Sequence, residues 1–360
     1  MKGAHLLIRS GEGSLLRADA DALVNTVNTV GVMGKGIALQ FKRAYPKMFK
    51  DYEAAAKAGE IRLGRVNVWA TNQMTGPRFI VNFPTKGHWR ARSRLADIEA
   101  GLVDLVKVVQ ELGIKSIAVP PLGCGNGGLE WADVEPRIRE AFAATPDVDV
   151  ILYPPAGAPS ASTMVTNEER PRMTPGKAAF IALLAEYSRQ SDTSTTLIES
   201  QKLMFFLQEA GEPLRLRYEK ALYGPYADNL RHVLKMLEGH YVQGYGDGSS
   251  SVMTAEPLEV LPGAVEDARV VLDEHPETDE RISRVLELAS GYETPYGLEL
   301  LASVYWMAKK DSEEVPTVDG LVEKVRSWTP RKGRMFTDKH IRSAWSILRD
   351  RGWVADPAAV

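Results

Sequence analysis

The sequence has little that could form a disulfide, a metal centre or a membrane anchor. Its one cysteine, Cys124, rules out an internal disulfide and suits a reducing cytoplasm. The six histidines are scattered and form no group with zinc-ligand spacing. No apolar run is long enough to cross a bilayer, and the short run before Arg9 is not a signal peptide. We therefore expect a cytoplasmic protein without membrane, metal or cofactor.

Length and charge suggest two domains with different partners. A chain of 360 residues is long for one domain, and its 44% hydrophobic and 25% charged residues are typical of a soluble globular protein. The first 164 residues carry 20 Lys and Arg against 16 Asp and Glu, and the rest carry 24 against 31. The first half is thus slightly basic and the second acidic, although chance can produce so small a difference.

The first half alternates strand and helix patterns, which indicates an α/β domain. Strands are predicted at residues 4–9, 19–24, 66–70, 79–83, 116–120 and 148–153. Helices are predicted at residues 35–57, interrupted at Pro46, and at residues 95–112 and 134–144. A ligand of such a domain lies outside the carboxyl ends of the strands.

A strand end, a glycine-rich turn and a helix start follow one another in residues 23–41. The strand is predicted to end at Val24, before Asn25 and Asn28, and the turn is Gly31-Val32-Met33-Gly34-Lys35-Gly36. Glycine lets backbone N–H groups converge, and the following helix adds its positive dipole end. The spacing matches neither a dinucleotide fingerprint nor a P-loop. We interpret the stretch as an anion site rather than a plain turn.

A second glycine-rich loop follows the strand that ends at Pro120. It consists of Pro121-Leu122-Gly123-Cys124-Gly125-Asn126-Gly127-Gly128-Leu129 and again precedes a helix. Two such loops could clamp opposite sides of one diphosphate. Cys124 is interpreted as a small packed residue rather than a nucleophile, because no histidine partner is suggested.

A lysine and a basic, aromatic stretch follow the strand at residues 79–83. By itself, Lys86 is more simply a phosphate contact or a solvated charge than a base or nucleophile. The next residues, His88, Trp89, Arg90, Arg92 and Arg94, could form a lip that binds a DNA strand, or simply a solvated helix start.

These motifs resemble macrodomains, the modules that bind ADP-ribose, and among them the DarG antitoxin family. The resemblance covers residues 1–155 and implies a macrodomain fold, a mixed sheet flanked by helices. It implies a site in which asparagines hold the distal ribose and glycine loops wrap the diphosphate. The implied ligand-binding residues are Asn25, Asn28, Gly31, Val32, Met33, Gly34, Lys35, Gly36, Thr85, Pro121, Leu122, Gly123, Cys124, Gly125, Asn126, Gly127 and Tyr153.

The same resemblance implies an activity. DarG enzymes remove ADP-ribose from thymidine bases of single-stranded DNA, reversing the toxin DarT, and the family's catalytic lysine falls on Lys86. That lysine could attack the anomeric carbon or act as acid/base. Two departures matter: Ser14 stands where many macrodomains have an adenine-binding aspartate, with Asp19 and Asp21 as weak substitutes, and the second loop has no helper carboxylate.

The second half has a different composition. Residues 156–174 are rich in Pro, Ala, Ser and Thr and are predicted to be a linker. Residues 175–360 are predicted to be an acidic, mostly helical α+β domain, possibly of the winged-helix kind. A turn is expected at residues 223–226, and Ser194 and Thr196 are candidate caps of a helix at residues 197–209. The DarG resemblance implies that this domain binds the cognate DarT toxin.

Three other functions remain open. The chain could remove ADP-ribose from protein carboxylates, or it could be a non-catalytic ADP-ribose reader with a partner-binding domain. The second half could also be a DNA-binding winged helix, which its acidity disfavours because phosphate contacts need Lys and Arg.

Overall fold

The computed structural model describes residues 8–157, 159–191, 194–311 and 317–354. These residues form two compact units. The first comprises the described residues up to Glu169 together with Gly246–Ser250. The second comprises Arg170–Tyr245 and the described residues from Ser251 onward. No described helix has the length and apolar character needed to span a membrane.

The first unit alternates strands and helices, as expected. Its strands are β1 (Ile8–Ser10), β2 (Ala22–Asn28), β3 (Asn67–Ala70), β4 (Phe79–Lys86), β5 (Ser116–Val119) and β6 (Asp149–Leu152). Its helices are α1 (Gly36–Ala44), α2 (Pro46–Lys57), α3 (Leu95–Glu111) and α4 (Trp131–Phe142). Residues 4–7 of the first predicted strand lie outside the described residues.

The six strands form one mixed sheet in the order β1-β6-β5-β2-β4-β3. Every pairing is parallel except that of β3 with β4. Successive strand residues point to opposite faces, so Ala22 and Val24 pack with α3 and α4, whereas Leu23 and Val27 pack with α1 and α2. The sheet is therefore buried between two helical layers, and the predicted mixed sheet flanked by helices is confirmed.

Two predicted strand ends were wrong. β2 continues beyond Val24 to Asn28, and β4 continues through Pro84 to Lys86. Their register shifts next to Val27, which pairs with Pro84, while Asn28 pairs with Lys86. The shift is a β-bulge, in which one β4 residue has no paired residue in β2. Strands tolerate a proline at such irregular positions.

Part of the predicted linker packs against the first unit. Ala161 is buried, and Asn167 bonds to the end of α1: its backbone N–H donates to Arg43 O (2.8 Å) and its side chain to Ala44 O (2.8 Å). Proline and serine content therefore did not prevent ordered contacts here.

The second unit is mostly helical, as predicted. Its helices are α5 (Pro175–Ser191), α6 (Leu197–Glu209), α7 (Leu230–Leu237), α8 (Ala264–Leu272), α9 (Pro276–Ala289), α10 (Pro295–Lys309), α11 (Val318–Ser327), α12 (Pro330–Met335) and α13 (Asp338–Asp350). Its strands form two small antiparallel pairs, β7 (Tyr218–Ala221) with β8 (Gly224–Ala227), and β9 (Val242–Gln243) with β10 (Glu259–Val260). The winged-helix arrangement stays a prediction.

Two local predictions for this unit, a helix cap and a turn, can be compared with the structure. Thr196 caps α6 in a full capping box with Glu199, which confirms the prediction for Thr196. The turn predicted at residues 223–226 is wrong in part, because Gly224–Ala227 is a strand that pairs with β7. Gly224 adopts φ +90° and begins that strand, so the glycine belongs to the hairpin.

Candidate active site

The predicted site residues gather at one edge of the first sheet. β5, β2 and β4 are neighbours and parallel, so their carboxyl ends meet. Residues 29–36, here called loop 1, follow β2, and residues 120–130, here called loop 2, follow β5. Lys86 is the last residue of β4. This edge is where ligands bind in open α/β sheets.

Loop 1 is shaped by the Asn28 side chain. Asn28 Nδ2 donates to Val32 O (2.6 Å), and its Oδ1 accepts from the N–H groups of Val30 (3.1 Å) and Val32 (3.2 Å). Tyr52 Oη donates to Asn28 O (2.6 Å), and burial raises the Tyr52 pKa to about 12, which keeps that donor protonated. Because this amide is engaged by the loop, its contact with a ribose stays a prediction.

Asn25 lies beneath the edge rather than on it. Its side chain is 0% exposed, and its Nδ2 donates to Asn82 Oδ1 (3.0 Å). Asn82 in turn donates to Asn67 Oδ1 (3.2 Å), so three asparagines bridge β2, β4 and β3. Asn25 Oδ1 has no hydrogen-bond partner among the described residues. Asn67 was not predicted, and Asn82, the first residue of the family motif that ends at Lys86, was given no role of its own, although an asparagine inside an apolar strand is an available clue.

Lys86 is hydrogen-bonded to both glycine-rich loops. Its Nζ donates to Asn126 O of loop 2 (2.9 Å), and its own carbonyl accepts from the Thr29 N–H at the start of loop 1 (3.2 Å). Thr29 Oγ1 also donates to Gly87 O (2.7 Å). Partial burial lowers the Lys86 pKa below its usual value. Lys86 is therefore a half-buried amine between both glycine loops.

Loop 2 folds over Ser93, a residue that the sequence analysis missed. The Ser93 N–H donates to Gly127 O (3.0 Å), and the Ser93 Oγ has no hydrogen-bond partner among the described residues. A Cβ at Gly127 would overlap this Oγ, and a Cβ at Gly123 would lie 3.0 Å from the Ser93 Cβ. Gly123 also has φ +75°. Close backbone approach thus explains the glycines at positions 123 and 127.

Cys124 has the properties of a packed residue. Burial raises the pKa of its thiol to about 11, and the negative charge of Glu130 adds to that shift. Its Sγ faces Leu122 O at 3.6 Å. A thiol that is hard to deprotonate is a poor nucleophile, which favours the packed interpretation.

An aromatic, basic surface follows Lys86. Trp89 is 45% exposed, the Arg90 guanidinium lies over its ring at 4.3 Å, and the His88 ring lies 5.2 Å away. Arg92 is exposed, whereas Arg94 pairs with Asp97 of α3. We call His88, Trp89, Arg90 and Arg92 the aromatic lip.

Two further residues, Tyr153 and Asp21, bear on the predicted adenine contact. Tyr153 follows β6, and a Cβ at Gly11 would lie 2.5 Å from its ring, so the ring covers that glycine. Asp21, a weak substitute for an adenine-binding aspartate, precedes β2 and its carboxylate accepts from the Lys115 N–H (2.7 Å). It therefore lies at the opposite end of β2 from loop 1. The described residues contain no group of three acidic, His or Cys side chains arranged for a metal.

These features define a macrodomain: a mixed six-stranded sheet between helices, with two glycine-rich loops at the strand ends. The Macro domain family model matches residues 24–138. A DNA ADP-ribosyl glycohydrolase of Mycobacterium tuberculosis is 45% identical over 346 residues, which cover 93% of this chain and 97% of that protein. The chain belongs to the DarG family of DNA ADP-ribosyl glycohydrolases.

Two further comparisons cover part of the chain. The solved macrodomain of Mycobacterium tuberculosis DarG is 63% identical and covers 41% of this chain and 98% of that one, with a TM-score of 0.41. A DNA ADP-ribosyl transferase–DNA ADP-ribosyl glycohydrolase fusion protein of Thermosipho africanus is 36% identical over 159 residues, which cover 40% of this chain and 41% of the fusion protein.

Proposed function

We propose that the protein removes ADP-ribose from thymidine bases of single-stranded DNA and neutralises a cognate DarT transferase through its C-terminal half, both in the cytoplasm. The observation that carries the first part is the position of Lys86 between the two glycine loops, with its Nζ 2.9 Å from Asn126 O. The family membership supports the DNA substrate.

The site residues suit a bound ADP-ribose. The backbone N–H groups of loop 1 and loop 2 would neutralise the diphosphate without a metal, in the way that glycine-rich loops bind phosphates. The distal ribose would then lie near the end of β4, because Lys86 adjoins both loops. The anomeric carbon would then lie within reach of the amine.

The reaction follows from that placement. The neutral Lys86 amine forms a bond to the anomeric carbon as the bond from that carbon to the thymine nitrogen breaks. The bonding electron pair leaves with the thymine nitrogen, which takes up the proton that the alkylated amine releases. Water then attacks the same carbon, releasing ADP-ribose and restoring the amine. Positive charge develops on the ribose ring in each step, as in other glycosidic cleavages.

Lys86 could alternatively act as an acid/base, and trapping separates the two roles. The ribose ring of the Lys86 adduct opens to an imine, which borohydride reduces to a stable amine. We therefore expect full-length protein quenched with substrate and borohydride to carry one ADP-ribose by intact mass. The Lys86→Ala variant should carry none. Absence of any adduct in the wild type would favour the acid/base role.

The aromatic lip supports single-stranded DNA as the substrate. An exposed tryptophan can stack on a base, and exposed arginines can contact phosphates. Trp89 and Arg90 already stack on each other and are exposed, so both are presented to solvent. A Trp89→Ala variant should lose affinity for the modified oligonucleotide by roughly tenfold while binding free ADP-ribose normally.

A substrate panel tests the function. Full-length protein is incubated with an oligonucleotide bearing ADP-ribose on thymidine and with a peptide bearing it on glutamate, and free ADP-ribose binding is measured by calorimetry. We expect turnover of the oligonucleotide alone. Turnover of the peptide alone would make the protein a protein de-ADP-ribosylase, and binding without turnover would make it a reader.

The second half of the proposal concerns residues 175–360. Their acidic character suits a basic, DNA-modifying partner, and a relative joins the two activities in one chain. The Lys86→Ala full-length protein should therefore still inhibit purified DarT, although it cannot remove the modification. If DarT is inhibited only by protein with an active first unit, the second half has no inhibitory role.

A further inference from the structure

A turn from the far half of the chain completes the first unit. The turn, Gly246–Ser250, lies about 200 residues beyond α1 in the sequence but belongs to the same compact unit. Asp247 at its centre is 2% exposed. Its Oδ1 accepts from the Ser249 N–H (2.9 Å) and from Ser249 Oγ (2.5 Å), which closes the turn.

The turn bonds to three residues on one face of α1. The Gly36 N–H donates to Asp247 O (3.2 Å), Gln40 Nε2 donates to Asp247 Oδ2 (2.7 Å), and Arg43 Nη1 donates to Gly246 O (3.0 Å). Positions four and seven residues after Gly36 lie on the same side of a helix. The bonds are buried, since Gln40 and Arg43 are themselves buried. The turn therefore fixes both the start and the rotation of α1.

The start of α1 is also the end of loop 1. Gly36 adopts φ +62°, and a Cβ on it would lie 3.4 Å from the Asn126 side-chain amide of loop 2. Asn126 in turn accepts the bond from Lys86 Nζ through its carbonyl. The α1 start that Asp247 holds therefore lies beside Asn126, the residue whose carbonyl accepts the bond from Lys86.

We propose that Asp247 is a positioning residue for ADP-ribose binding. It contributes nothing to bond breaking, but it holds the α1 N-terminus so that loop 1 meets loop 2 at the separation that a diphosphate requires. The proposal rests on the function proposed above. It implies that a residue of the far half of the chain sets the affinity of the first unit for its ligand.

The test measures ADP-ribose binding and oligonucleotide turnover with full-length protein. We expect Asp247→Ala to weaken ADP-ribose binding about tenfold and to raise KM by a similar factor while kcat changes little. Asp247→Asn keeps an acceptor for the turn, and Gln40 can reverse its amide to donate or accept. This variant should remain within about twofold of wild type.

Gln40→Ala provides a second, independent probe. It should weaken binding in the same direction. The double variant with Asp247→Ala should bind no more weakly than Asp247→Ala alone, because Asp247→Ala already removes the bond to Gln40. The matched control is Asp228→Ala, whose carboxylate is exposed and pairs only on the surface with Arg231. It should bind like the wild type.

The outcomes separate this inference from the proposed function. Wild-type protein that binds no ADP-ribose would overturn both. Wild-type protein that binds, with Asp247→Ala and Gln40→Ala equal to it, would overturn the positioning role alone. If Asp247→Ala does not fold, Gln40→Ala decides: wild-type affinity contradicts the proposal, and a several-fold loss with unchanged kcat supports it.

Discussion

The two units bury their polar side chains in different ways. In the first unit, the buried polar groups at the carboxyl ends of β2 and β4 are neutral amides and hydroxyls, whereas the buried charged residues Arg43 and Asp247 lie on or against α1. Asn25, Asn28, Asn82 and Thr85 are all buried at these strand ends. In the second unit, charged side chains are buried among helices, with Lys202, Lys332 and Glu299 at most 1% exposed.

The charged cluster of the second unit fixes a local structure. Lys332 Nζ bonds to Glu299 Oε1 and to Ser303 Oγ (3.1 Å), and Arg331 Nη1 bonds to the same Glu299 oxygen (2.7 Å). Lys202 Nζ donates to Pro225 O (2.6 Å), which attaches strand β8 to helix α6. Buried charges are costly unless every partner is present, so this cluster specifies one arrangement of α6, α10, α12 and β8.

The comparison teaches how a site differs from a scaffold. Neutral amides at the sheet edge shape loops whose backbone donors can still meet a ligand, and one polar atom, Asn25 Oδ1, has no partner among the described residues. The interior charges of the second unit instead bond to one another and to backbone. We therefore expect changes at the edge to alter function, and changes in the cluster to alter stability.

The largest effect is expected at Lys86. Lys86→Arg keeps a positive charge that can donate to Asn126 O but cannot supply a neutral amine, because arginine stays protonated. Activity on the modified oligonucleotide should fall about 10³-fold, with the unfolding midpoint unchanged. Arginine activity near that of wild type would reduce Lys86 to a phosphate contact.

The next effect is on stability alone. Glu299→Gln removes the negative charge shared by Lys332 and Arg331 and should lower the free energy of unfolding by about 3–5 kcal/mol. Urea unfolding measures it, with the exposed Glu323→Gln as control. ADP-ribose affinity of the folded protein should stay the same. A change in that affinity without loss of stability would erase the distinction between site and scaffold.

A smaller effect separates two glycines of loop 2. Gly127→Ala places a methyl group against Ser93 Oγ and Gly123 O, and should cost about 1–3 kcal/mol of unfolding free energy. Gly125→Ala meets nothing within 4 Å and should change stability little. Equal thermal midpoints for the two variants would mean that loop 2 relaxes without cost.

The last effect is a pH dependence in the second unit. Burial lowers the Lys202 pKa to about 7, whereas an unfolded lysine titrates near 10.4. Between these values the unfolded chain holds a proton that the folded chain lacks, so the free energy of unfolding should rise with pH from about 7 to about 10. Lys202→Met should flatten this rise, and the exposed Lys339→Met should leave it. An identical slope in all three proteins would show that Lys202 is not the source.

Local patterns predicted the elements and loops of the first unit because each depends on neighbouring residues. Alternating apolar runs located its strands, and glycines followed by helical periodicity located both loops. Pro84 was misleading, because a bulge at the end of β4 accommodates a residue that normally ends a strand. In the same way, Gly224 and Pro225 have the composition of a turn, yet they pair with β7.

The contacts that position the site were beyond such reasoning. Ser93 supports loop 2 from about thirty residues away, and Asp247 holds α1 from more than two hundred. Neither stands in a motif, and nothing in local spacing relates an aspartate in a glycine-rich turn to a distant helix. The role of Lys86 came from the family resemblance, and the structure adds its neighbours and the lowering of its pKa.

One measurement tests the central claim most directly. A single-stranded oligonucleotide with ADP-ribose on one thymidine is incubated with full-length wild type and with Lys86→Ala, and its mass is followed over time. The account predicts loss of one ADP-ribose with the wild type only. Loss at the same rate with both proteins would contradict the role of Lys86, and loss with neither would contradict the glycohydrolase itself.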